Sequence, residues 1–303
     1  MPEHETDNPW IRADPSAACA CGSHRMLKDC CLKYMVFLNL PYPIPDSLPE
    51  QGTILNSWMC SYGPLTQGAF IQKAGRYLYR LSRYLDKISD LYIDHPFPGE
   101  ASDMPRACFA FESVKQNVLL SLMGGARCLA EGLFVQSGIL FRAAVEDSIA
   151  IFDLVLSPGQ MDNLLADKYD GRKALARAKK HVPHNVKIWY GDFSSNFTHM
   201  GPLHRGNLSP TPCFPNNFTI VIGIQSLARA IVSFHVALER VYLDVTPQPL
   251  LWMLVPGQST PVFRSDSRVF QWTDMMWQDM KAEYPPGVTS PWVLTTNEEI
   301  RLR

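Results

Sequence analysis

The chain has 303 residues, 46% of them hydrophobic and 19% charged, a globular balance that can fill one large core or two of medium size. A formal net charge of −1 excludes a molecule built as a whole to hold nucleic acid, so any such binding must come from a local basic patch. No charge-free run joins the length and the apolar purity of a membrane span; the longest, residues 206–228, is interrupted by Pro210, Pro212 and Pro215.

Residues 1–14 read as a loose acidic arm without the apolar core of a signal peptide. The next stretch is the densest chemistry in the chain. Cys19-Ala-Cys21-Gly-Ser-His-Arg-Met-Leu-Lys-Asp-Cys30-Cys31 holds half of the eight cysteines. Zn²⁺ takes four soft or borderline ligands in a tetrahedron, and a closed thiolate set is structural rather than catalytic. The eight residues between the two pairs are long enough to fold back. Gly22 permits the tight turn, and Ser23 can bond to the backbone there. Reduced thiols or a disulfide are the alternative, although adjacent cysteines rarely bond each other because their side chains diverge. Zinc binding at such a site is worth about 10–16 kcal/mol, enough to fold a segment with almost no apolar core. Cys60, Cys108, Cys128 and Cys213 are scattered without framework spacing, which together with a thiolate metal site points to a reducing, cytoplasmic setting.

The order Cys-x-Cys-Gly-Ser, a basic stretch, then Lys-x-Cys-Cys resembles the SEC-C zinc motif, named from the C-terminus of the SecA translocation ATPase. The resemblance spans residues 15–35 and implies one structural Zn²⁺ on Cys19, Cys21, Cys30 and Cys31. Where members of that family often have Gly-Lys-Lys after the Ser, this chain has His24-Arg25-Met26, so the site stays basic and His24 is a competing candidate ligand.

Pro41, Pro43, Pro45 and Pro49 make the next stretch a linker of extended geometry. Gly63-Pro64 opens a first helix, with Phe70, Ile71, Ala74, Tyr77, Leu78, Leu81, Leu85 and Ile88 at helical spacing and Arg76, Arg80, Arg83 and Lys87 on a solvated face; it ends near His95-Pro96. A second helix is expected over 106–131, with Phe109, Phe111, Val114, Val118, Leu119 and Leu122 apolar and Gly124-Gly125 allowing close packing, and a break at 130–133. A third, over 134–156, is apolar nearly all round and belongs in the middle of a bundle. A fourth is expected over 160–181, with a basic end of Arg172, Lys173, Arg177, Lys179, Lys180 and His181. A fifth runs over 185–200 and, after a proline-rich loop, a sixth over 217–243. Beyond Asp244 the pattern becomes irregular, with one short helical stretch near 270–283 and tryptophans that should pack back on the bundle. The fold class is therefore all-α: arm and zinc knuckle at 1–35, Pro-rich linker at 36–61, a bundle of about six helices at 62–244, and a Trp- and Pro-rich tail at 245–303.

Two features break the apolar rule. Arg142 and Glu146, with Asp147 beside them, sit in the buried third helix and share a face at a spacing of four. A structural ion pair is one reading and a polar site the other. In the fifth helix, Asp192, Ser195, Asn196 and His199 lie near one stripe, with His199 in the last turn, where an imidazolium is favoured. Together these features faintly resemble HEPN-type helical bundles, some of which are metal-independent ribonucleases. Active members place His on a helix four to six residues after an Arg, at a dimer interface. Here no Arg precedes His199 at that spacing, so Arg142 is the candidate to replace it in space, with Glu146 nearby.

The phosphate-loop, nucleophile-elbow and His-Glu-x-x-His signatures are all missing. The leading expectation is a zinc-binding adaptor whose knuckle, with basic His24, Arg25, Lys28 and Lys33, docks to a protein or ribonucleoprotein partner. The alternative is an HEPN-like ribonuclease or a defence- or toxin-type nucleic-acid enzyme using Arg142, Glu146 and His199, with RNA guided by the basic end of the fourth helix. A scaffold oligomerising through the tail is a third reading, and a homodimer is a candidate assembly.

Overall fold

A computed structural model describes residues 63–198, 217–258 and 260–284. Over these residues the protein is mostly helical, as the periodicity predicts. Helix α1 (Gly63–Tyr92) buries Phe70, Ala74, Tyr77, Leu81 and Ile88 of the expected apolar stripe, while Leu78 and Leu85 are half-buried and Ile71, at its edge, is 49% exposed. Its end is closed from outside. Lys115, fully buried on the next helix, donates to the carbonyls of Ile93 and His95, and Tyr242 donates to those of His95 and Pro96 at 2.8 and 2.9 Å. A cation held at carbonyls that end a helix satisfies both the dipole and the orphan acceptors.

Helix α2 (Met104–Ala130) starts at Asp103, whose carboxylate accepts the Arg106 N–H at 3.2 Å, with Pro105 in the first turn. It packs along α3 (Phe134–Leu156). Of the paired glycines, Gly125 is the one that the contact requires: a Cβ there would lie 2.5 Å from the Phe141 ring, whereas one at Gly124 would stand at an ordinary 3.4 Å from Leu140. Helix α3 lies in the middle of the bundle as expected, and it shares that place with α7 (Asn217–Val241). Helix α7 buries Ile220, Ile224, Ile231, Phe234 and Leu238, and Gly223 admits the Leu129 side chain against its backbone. Within it, Ile220–Val241 is long and apolar enough to cross a membrane, which the sequence reading did not anticipate; that segment is packed inside the bundle and carries Arg229, Glu239 and Arg240.

The fourth expected helix is broken. In its place stand α4 (Gln160–Leu165), a 3₁₀ turn (Gly171–Lys173) and α5 (Ala174–Arg177). Asp167 adopts a left-handed φ of 56°, and the Asp170 carboxylate accepts the Arg172 N–H at 3.1 Å, so the chain turns between the pieces. The turn brings Arg177 inward from the basic end to Asp153 of α3, which is fully buried. Its Nε and Nη2 donate to Oδ2 at 2.9 and 2.5 Å, and the guanidinium lies over the Tyr169 ring.

The fifth expected helix is α6 (His184–Phe193), continued by a π-helical turn (Ser194–Thr198). After α7 the tail forms a short antiparallel pair, β1 (Trp252–Met253) and β2 (Val262–Phe263), with Trp252 opposite Phe263, then α8 (Arg268–Glu283). The tail is anchored. Glu239 of α7 accepts the backbone N–H groups of Leu250, Leu251 and Trp252 at 3.0, 2.6 and 2.8 Å. Trp252 is buried, as expected for a tryptophan packing back, and its indole donates to the Val236 carbonyl. Helix α8 is strapped to α1 through Glu283, which meets Arg76 and the Tyr77 hydroxyl, and through Asp279 with Arg80. Two of the basic residues expected on a merely solvated face therefore hold the tail.

Candidate functional site

The expected zinc ligands Cys19, Cys21, Cys30 and Cys31, together with His24, the Pro-rich linker, His199 and Trp292, lie outside the described residues. Among the described residues, no group of three or more His, Cys, Asp or Glu side chains could hold a metal ion. Cys108 and Cys128 are free and half-buried, and burial raises the Cys128 thiol, against the reactive thiolate form.

Arg142 and Glu146 are brought together on α3, where Arg142 Nη2 donates to Glu146 Oε1 at 2.6 Å. The pair is not sealed in the core: the side chains are 26% and 41% exposed. Tyr190 of α6 faces it, its hydroxyl donating to the same Glu146 oxygen at 3.1 Å and its ring 5.7 Å from the guanidinium. Arg142 Nε is buried and has no hydrogen-bond partner. Asp147, on the neighbouring face, is pushed up to about 6 by burial and then by the charge of Glu146.

The π-helical turn alters the stripe read from α-helical spacing, because its hydrogen bonds reach one residue further. Ser195 is exposed and donates to the Asp192 carbonyl at 3.3 Å. Asp192 turns toward α7, where Arg229 Nη1 stands 3.4 Å from Oδ2. Burial raises Asp192, opposed by Arg229, and burial also disfavours the charge on Arg229, opposed by Asp192. Phe197 packs on α3, against Phe134 and over Gly138, where no Cβ would fit. The residues leading to position 199 therefore press on α3 one turn before Arg142.

Arg229 also lines a cavity of about 250 Å³ between α6, α7 and α8. Trp189, Phe270 and Trp277 form aromatic walls, and Asn185 and Gln225 present amides. Sequence reasoning missed this cluster. The signal was present: Arg229 interrupts an apolar helix as Arg142 does, but its aromatic neighbours come from helices distant in sequence. A second buried polar group, also unforeseen, links Tyr84, His235 and Glu239. His235 Nδ1 is 2.5 Å from the Tyr84 hydroxyl, and its Nε2 is 3.2 Å from Glu239. Burial pushes Glu239 up, but the His235 bond and the Leu250 and Leu251 N–H groups outweigh it and hold the carboxyl below its usual value. These bonds make Glu239 a structural anchor for the tail.

No family model matches the chain, and neither a curated protein nor a solved structure matches it.

Proposed function

We propose that this protein is a zinc-dependent interaction protein: Cys19, Cys21, Cys30 and Cys31 hold one structural Zn²⁺, and the resulting basic knuckle docks to a protein or ribonucleoprotein partner while the bundle serves as its rigid body. The observation that carries it is the cysteine spacing, two pairs separated by eight residues with Gly22 and Ser23 at the turn. The state of Arg142 agrees with it. A guanidinium already bonded to Glu146, with the Tyr190 ring beside it, is better placed to join α3 to α6 than to hold a phosphate.

The test is metal analysis of the purified full chain beside a Cys30→Ser/Cys31→Ser double variant. One zinc per chain, lost in the variant, is expected, with helical circular dichroism kept after chelation because the bundle has its own core. Full metal retention in the variant would sink the ligand assignment. Docking is tested by cross-linking the two forms to cellular protein and RNA; identical cross-linked sets would remove the knuckle as the docking element.

One observation favours a second reading, an HEPN-like ribonuclease of Arg142, Glu146 and His199: the packing of Phe197 on Gly138 brings the chain close to Arg142 two residues before His199. Cleavage of RNA by the parent chain, lost in folded Arg142→Ala and His199→Ala, would establish that reading in place of the adaptor.

A further inference from the structure

The cavity between α6, α7 and α8 combines three kinds of wall that rarely converge by packing alone. The floor is apolar, with Met276 and Met280 buried and Ala228 and Val232 contributed by α7. The sides are aromatic: Trp189 and Phe270 stand with ring centroids 6.1 Å apart, and Trp277 carries the Lys281 ammonium 4.8 Å from its ring centre. Polar groups converge from three sides: Asn185 from α6, Gln225 and Arg229 from α7, and Ser265, Thr273 and Asp274 from α8 and the turn before it. A concave site that sets aromatic side chains beside convergent polar groups can hold a small molecule and fix its orientation.

Arg229 is the group that sets the ligand's charge. Among the described residues its ion-pair partner is Asp192, which makes a single long contact at 3.4 Å and does not itself line the cavity. A guanidinium offers five N–H donors in a planar fork, so most of its capacity is open to an oxyanion, which would bind it in the bidentate geometry it suits. Burial already works against the charge on Arg229 and raises Asp192, so the existing pair under-compensates both, and an added oxyanion would stabilise the cation. The side-chain amides of Asn185 and Gln225 have no hydrogen-bond partner among the described residues, leaving them to meet the edge of a polar ring. Asp274 stands exposed at the same cavity, where its charge favours a singly charged carboxylate over a doubly charged phosphate ester. The volume, about 250 Å³, is just below the usual range for drug-sized ligands and suits one ring system with a short acidic arm.

We propose that this cavity binds a small planar aromatic molecule bearing one anionic group, a carboxylate or a phosphate ester, with the anion on Arg229, the ring against Trp189 and Trp277, and the ring edge read by Asn185 and Gln225. The assignment is independent of the zinc knuckle and of any ribonuclease chemistry. It makes the bundle a sensor of a metabolite-sized ligand, with the tail helix α8 supplying one wall.

The experiment is a titration of the full chain, read by tryptophan fluorescence and calorimetry, with indole-3-acetate as the carboxylate probe and adenosine monophosphate as the phosphate probe. Saturable binding at or below millimolar concentration is expected for one of them, and which one saturates identifies the acid. Removing the anion, by using indole or adenosine, should weaken binding tenfold or more. Arg229→Gln should cost the same factor and abolish the preference for the acid over its neutral analogue. Trp277→Ala, on the half-buried face of α8, keeps the test valid if Arg229→Gln does not fold; it should weaken binding several-fold and remove part of the fluorescence change. Failure of both probes to saturate, or undiminished binding in Trp277→Ala, would overturn the site.

Discussion

Helix α3 carries two arginine–carboxylate pairs that differ in almost every respect that matters energetically. Asp153 is fully buried and meets Arg177 through two guanidinium nitrogens, with Tyr169 stacked beside them. Glu146 is 41% exposed and meets Arg142 through one nitrogen, sharing its oxygen with Tyr190. The first pair joins α3 to a segment 24 residues away, whereas the second lies within one helical turn. Burial is what separates them. A buried carboxylate whose partner is removed becomes an uncompensated charge, whereas an exposed one is solvated again by water.

That contrast is open to direct attack. Arg177→Met should cost about 3–5 kcal/mol in urea denaturation, because it strands Asp153 without a counter-charge. Adding Asp153→Asn should recover much of the loss; if the double variant is no better than the single, the charge is not the cause. A smaller effect of opposite sign is expected beside the exposed pair. Asp147 rises from an ordinary 3.8 to about 6, so between those values the folded chain holds its proton more tightly than the unfolded chain. Its contribution is therefore most favourable at low pH and declines as pH rises toward 6. Asp147→Asn should stabilise the protein by about 1 kcal/mol at pH 7.5 after allowance for partial exposure, and by almost nothing near pH 3. A gain that does not change with pH would rule out titration as its source. The smallest effect belongs to Arg142→Gln, about 0.5 kcal/mol at low salt and less at high salt, measured by the same denaturation. A loss as large as that of Arg177→Met would erase the distinction between the two pairs.

Much of the bundle was legible because helix periodicity is a local property. Helices α2 and α3 fall within two residues of the expected bounds, since Asp103 with Pro105 starts one, and the break at 130–133, with Gly132 at a positive φ of 80°, separates them. The Arg142–Glu146 pair was legible for the same reason, four residues being one turn. The fourth helix was not. Its pattern from 160 to 181 is helix-compatible, but the inward pull of Asp153 on Arg177 and the local bonds of Asp170 favour a bent path. The π turn after Phe193 was equally invisible, because it answers to the packing of Phe197 on α3 rather than to any sequence period.

The sequence by itself determined the helical class, the cysteine spacing on which the proposed zinc site rests, and most of the apolar positions that are buried, Ile71 and Phe109 being exposed exceptions. These depend on groups within a turn or two of each other, so the order of residues is enough to specify them. Only the tertiary structure decided which charges would meet across the bundle. Asp153 with Arg177, Glu239 with the N–H groups of the tail, and Arg229 among Trp189, Phe270 and Trp277 all join segments distant in sequence. Their energies arise from water excluded when helices pack, and exclusion is a property of the assembled core rather than of any one stretch of chain.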